Sequence, residues 1–493
     1  MRAWNGDETR RPQGGSVSQK DIEAAIAATR FGLGARPGEI AEAARDPRGY
    51  LKGQIRRDGA DLFKTDGETA NQRLAEFQAY RRERAMARSA PASDGKPEED
   101  SAVRAARQFI RQNAAGDILG RVQLAAVTDA GFRERWALFW ANHFTVSASK
   151  VQTATLVGPY ENEAIRPHVF GRFADLLGAA ETHPAMLLYL DQVQSVGPNS
   201  QAAQFQRRGA ARRQAPRNEA RPRRDPGLNE NLAREILELH TVGVDGGYAQ
   251  ADVTEFARAL TGLSIAGPRD AGVEGVVFRG QAHEPGERTV MGVRYAAGGK
   301  EQAGSVLADL AARPQTARFV CAKLARHFVA DDPPPALVTR LEKAWISTHG
   351  DLARVAETLV DAPEAWAAQP AKFKTPYEFV VSSYRALGQE PRDLGQVNAA
   401  LNGLGQRPFG APSPKGWPDE AGPWAASDAL VKRMQFAQAL GAVAGPQVQD
   451  PVALADQTLG VRLSPASAKA ISRAESRAEA VALLLMTPEF QRR

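Results

Sequence analysis

The segment GLNENLAREILELHTVGVDGGYAQADVTEFARALTGL, residues 227–263, constrains the fold more than any other part of the chain. Apolar residues recur at three and four on both sides of Gly246-Gly247, a pair that admits positive φ and a sharp reversal. The expectation is a helix, a tight turn and a second helix. At 100° per residue, Leu232, Ile236 and Leu239 fall on the apolar side, and His240 belongs with them. Asn231, Arg234, Glu235 and Glu238 form a contiguous polar arc between about 40° and 140°, counted from Glu230. His240 and Glu235 lie about 140° apart, so the Glu-Leu-His run is not an i, i+4 metal pair. The polar arc has two readings: a functional face, or a solvated ladder of Glu230, Arg234 and Glu238. On the second helix Val253, Phe256, Leu260 and Leu263 are expected to be buried, with Thr254, Arg258 and Thr261 opposite.

The helical period extends through most of the 493 residues, with Ala, Leu, Glu and Arg dominant. The fold class expected is mainly α: one large multi-helical domain over 19–493 after a polar tail, 1–18, with long Pro/Gly-rich loops. Mobile inserts are expected at 87–101 and 197–227, where Ser, Pro, Gly and charge replace hydrophobic periodicity. Short Val-rich stretches at 272–280 and 288–295 suggest a small β-hairpin with HEPGER at its tip. No apolar run approaches the roughly 20 residues that span a bilayer. No apolar stretch follows Arg10-Arg11, so no export signal is visible and a cytoplasmic location is the first expectation. The net charge of +6 resides entirely in 207–225, where eight arginines face Glu219 and Asp225. That loop could contact phosphates. It lacks aromatic residues for base stacking, however, and the body is neutral, so it reads as a basic insert rather than a nucleic-acid interface. The single Cys321 excludes an internal disulfide and a multi-cysteine zinc site.

Candidate functional residues are scattered. FGLGARPG follows a helix rather than a strand, so Gly32 and Gly34 read as a helix C-cap and turn, not a nucleotide loop. In GFRERWALFWANHF, Phe132, Trp136, Phe139, Trp140 and His143 share one apolar arc, with Asn142 off it. A histidine so placed is more often a core residue than a ligand. His183 precedes a Pro-initiated helix and could serve as its cap. His283, Glu284 and Glu287 of HEPGER offer imidazole and carboxylate donors for a divalent metal, given partners from elsewhere. Trp417 and Trp424 read either as a stacking platform or as anchors for a Pro/Gly loop.

Taken together, ATRFGLGARPGEI, RWALFWANHF, HPAMLLYLD, NENLAREILELHTVGVDGGY, DVTEFARALTG, HEPGERTVMGVRY, KFKTPYEFVVSSYRALG and SPKGWPDEAGPW resemble, in order, the bacterial family called domain of unknown function 1800. The resemblance spans about residues 25 to 490. It implies a domain without an established activity, often encoded beside a sulfatase-like protein. Its members frequently carry export signals, which makes the periplasm an alternative location. The recurring polar residues of the family match Asn142, His143, His183, Asp191, Asn229, Asn231, Arg234, Glu235, Asp252 and His283. The chain departs from the family at HEPGER, and at Ala249 where a Thr would cap the second helix. The expectation that follows is an enzyme or small-ligand binder acting on an envelope-related substrate. Glu235, His143 and His183 would be its catalytic groups, and Asn142, Asn229, Asn231, Arg234, Asp252 and His283 its ligand-binding groups. The alternatives are a scaffold for the sulfatase-like partner and nucleic-acid binding through 207–225.

Overall fold

The structure, a computed structural model, describes residues 18–65, 67–89, 101–212, 227–267, 270 and 273–493. Of the expected tail only Ser18 is among them, and it is the N-cap of the first helix, Gln19–Ile26, bonded reciprocally to Asp21. The insert at 90–100 and the Arg-rich stretch 213–226 lie outside the described residues. Residues 201–212, expected to be loop, form a helix.

The chain is mainly α-helical, with 24 α-helices and two two-stranded sheets among the described residues. No helix among them is long and apolar enough to cross a membrane. The expected hairpin takes another form. Val276–Phe278 pairs antiparallel with Leu263–Ile265, and Arg288–Val290 pairs with Val293–Tyr295. The reason is local chain reversal. Gly262, at φ 91, turns the chain out of the Gln250–Leu260 helix directly into the first strand. Met291 and Gly292, both at positive φ, close the second pair on themselves with the tightest type of hairpin turn. HEPGER therefore connects two sheets instead of capping one.

The helix–turn–helix forms as expected, with one change. Asn231–Glu235 is α-helical, but Ile236–His240 continues as a π turn. Gly247 takes φ 82, while Gly246 is required by proximity, since a Cβ there would lie 2.5 Å from that of Val242. Val253, Phe256, Leu260 and Leu263 are all buried.

Two groups of apolar side chains make the interior. The first gathers around the Gly131–His143 helix, where Trp136 is inaccessible, stacks on Phe170 and donates its indole N–H to the Val169 carbonyl at 2.6 Å. The second gathers around Pro376–Ala386, Ser427–Ala444 and Arg477–Met486. Buried arginines stitch the two together. Arg135 donates to the Gly32 carbonyl and to Glu378, and Arg385 donates to the carbonyls of Gly34, Ala125 and Thr128. Carbonyls at the Gly32–Gly34 turn are thus partners for this stitching, and Gly34 at φ 99 passes against Ser382. These glycines are cap and turn residues, as the sequence suggests.

Candidate functional site

Between the two cores lies a cavity of about 550 Å³, within the usual range for small-molecule sites. Phe139, Phe319, Phe409, Tyr377 and Trp417 supply much of its apolar wall. Two helices bring the chemistry. Gly131–His143 presents His143, and Pro314–Phe328 presents Lys323 and His327 one turn apart.

The hydrogen bonds assign the His143 tautomer. Its Nε2 lies 3.1 Å from the His240 carbonyl oxygen, which can only accept, so Nε2 carries the hydrogen. Nδ1 is then the acceptor for Lys323 Nζ at 2.9 Å. Burial, reinforced by the Lys323 charge, holds the His143 pKa well below that of a free histidine, so the ring is neutral. Burial also lowers the Lys323 amine to about 8, with Asp419 and Glu420 opposing that shift and Lys415 and Arg326 assisting it. The amine rests over Phe319, 5.5 Å from the ring centroid.

His327 Nδ1 lies 3.2 Å from both carboxylate oxygens of Asp419. Burial works to raise the Asp419 pKa, but His327, Lys372 and Arg493 outweigh it and hold it at about 2. Burial lowers the His327 pKa despite that carboxylate. A neutral ring that donates Nδ1–H to Asp419 keeps its lone pair on Nε2, which is buried with no hydrogen-bond partner among the described residues. An imidazole oriented in this way by a carboxylate is equipped as a general base.

The loop bearing Asp419 is positioned by Asn142. Its Oδ1 accepts from the Trp417 backbone N–H at 2.8 Å, and its Nδ2 donates to the Trp417 carbonyl at 3.0 Å. Trp424 is buried beneath the loop and donates to the Pro418 carbonyl, while Trp417 lines the cavity. Gly416 permits the close approach, with φ 83 and space for a Cβ only 2.4 Å from the Asn142 carbonyl oxygen. Replacing Gly416 with Ala should strain this turn by about 1–3 kcal/mol and separate Asp419 from His327. A lowered thermal midpoint would register it; an unchanged midpoint would show that the clamp yields freely.

The charges in the cavity do not balance. Glu161 is paired with Arg121, Glu378 with Arg135, Glu420 with Arg326, and Asp419 with Lys372 and Arg493. Among the described residues Lys323, Arg407 and Lys415 have no carboxylate partner, against the single carboxylate Glu238, which accepts from the Tyr248 hydroxyl at 3.3 Å. The unpaired excess is positive, which favours an anionic guest.

Of the candidate catalytic and ligand-binding residues, His143 and Asn142 line this cavity and the others do not; Phe139, Glu238 and Trp417, also noted in the sequence, line it as well. His183 caps the Pro184–Tyr189 helix, accepting from Ala185 N–H at 3.1 Å, and its Nε2 faces Glu163 at 3.3 Å. Asn229 ties the chain to the Leu190 carbonyl and accepts from Asn231 N–H, while the Asn231 side chain is exposed. Arg234 pairs with Glu230 and Gln250, so the first half of the salt ladder forms. Asp252 accepts from the backbone of Ala249 and Met291, and thereby supplies half of the capping box that Ala249 cannot. His283 donates Nδ1–H to the Thr261 carbonyl at 2.8 Å, and Glu284 is fully engaged by Asn199. Glu287 pairs with Arg294. His240 is buried as expected, 2.6 Å from Glu181 Oε1. The π turn brings Glu235 within the field of His240 and Glu181, and burial raises the Glu235 pKa. Among the described residues no three His, Cys, Asp or Glu side chains are grouped to hold a metal ion.

Lys323, His327 and Asp419 escaped the sequence reading. A signal existed: in ARFVCAKLARHF the spacing of Lys323 and His327 places them on one face.

These features define a mainly helical protein whose buried-arginine seam encloses a cationic, aromatic-walled cavity. Residues 26–492 match the family described as Protein of unknown function (DUF1800), and the chain belongs to that family. No curated protein and no solved structure matches the chain.

Proposed function

We propose that this protein is an enzyme acting on a small molecule with an anionic group and an apolar body, bound in the seam cavity. The observation that carries this reading is the convergence of the Lys323–His143 pair and the His327–Asp419 pair on one cavity. Unpaired Lys323, Lys415 and Arg407 attract the anion, the aromatic wall takes the apolar body, and His327 supplies a base. Asp419 takes the part that the sequence suggested for Glu235.

The test uses 3-phenyllactate, an aromatic carboxylate, with isothermal titration calorimetry. Removing one charged donor to an anion costs about 1.5–3 kcal/mol, so Lys323→Met should weaken binding by roughly tenfold or more. Equal binding by wild type and variant, or none by either, would refute the assignment.

A further inference from the structure

We propose that Lys323 is a nucleophile that forms an imine with a carbonyl compound bearing a carboxylate, a 2-oxo acid being the simplest member of that class; this rests on the seam cavity being the ligand site. The partner of the amine argues for it. A lysine serving only as a fixed positive charge is commonly held by a carboxylate. Here the partner is the neutral Nδ1 of His143, 2.9 Å away. That acceptor can serve an ammonium or a free amine, because each offers it an N–H. When the amine is free, one N–H remains pinned to His143 and the lone pair points elsewhere. His143 is itself fixed by the His240 carbonyl, so the amine is held by a rigid support. Burial lowers the pKa of the amine and so favours the uncharged form that attack requires, against the pull of the Phe319 ring face on its charge. Lys415 and Arg407 remain available to the substrate carboxylate.

The step balances without a redox partner. The amine lone pair attacks the carbonyl carbon, a C–N bond forms, and the π pair of the carbonyl moves to oxygen. The oxygen takes up two of the protons carried by the original ammonium and leaves as water when its C–O bond breaks. A protonated imine remains, and one positive charge is present before and after.

The experiment treats the full chain with phenylpyruvate and sodium cyanoborohydride, which reduces a protonated imine to a stable secondary amine. Peptide mapping by mass spectrometry then locates the adduct. The expected result is modification at Lys323 about tenfold or more above any other lysine, suppressed by excess 3-phenyllactate. Lys323→Arg should lose the adduct. Should that variant not fold, the wild-type map decides the matter alone. Adducts spread over exposed lysines, with phenyllactate still bound, would overturn the imine and leave the binding site standing. Absence of phenyllactate binding would overturn both.

Discussion

Replacing Arg166 with Met is expected to destabilise the protein by about 3–5 kcal/mol, the usual cost of removing one partner from a buried ion pair. Arg166 is inaccessible to solvent, and its guanidinium contacts both carboxylate oxygens of Glu134 at 2.8 Å and Glu161 at 2.8 Å. It also donates to the Asp61 carbonyl at 2.7 Å. Burial opposes its charge, yet the two carboxylates prevail and raise its pKa above the ordinary arginine value. Met fills much of the space and leaves two negative charges buried, with Arg121 alone to serve Glu161. The denaturation midpoint in urea is the measurement. A partial rescue by adding Glu134→Gln would agree with the charge account.

The residues that were legible in advance are those whose environment is local. Repeats at three and four located the helices flanking Gly246-Gly247, because a helix must bury one face and the spacing records which. The same arithmetic put His143 on the aromatic side of its helix, and the proline after His183 marked it as a helix start. The arithmetic placed Ile236 and His240 on the buried side correctly but did not foresee the π turn they belong to, which has no composition of its own. Strand pairing was missed because a three-residue strand such as Leu263–Ile265 is too short to show alternation at the end of a helical pattern. The site itself is long-range. Lys323 meets His143 across 180 residues, and His327 meets Asp419 across 92, so each half looks like an ordinary helix or loop residue until the fold joins them. The clustered family-matching polar residues drew attention to Asn229, Asp252 and His283. Their bonds instead go largely to backbone groups, the work of capping and tying loops that a buried polar group must perform.

Affinity for 3-phenyllactate is expected to fall by up to roughly a hundredfold between pH 7 and pH 10, with the decline beginning near pH 8. The Lys323 amine has a pKa of about 8, and an anion bound to it stabilises the charged form. Below that pKa the ammonium is already present and binding is insensitive to pH. Above it, each unit requires the ligand to recruit a proton, which weakens binding by about tenfold per unit until the pKa of the complex is reached. The groups facing the amine do not blur this profile. Asp419, at about 2, stays ionised, and His143 and His327 stay neutral across the range, while Glu420, Lys415 and Arg326 also act on the amine. Glu238 faces the cavity from the π-turn helix. Lys323→Met should bind weakly with a flat profile. A flat profile in the wild type would remove Lys323 from the anion site. Reductive trapping of phenylpyruvate at saturating concentration should run the opposite way, rising through pH 8 as the free amine becomes the majority form. One residue would then give two responses of opposite sign, one reporting its charge and the other its lone pair. A merely structural lysine would show neither.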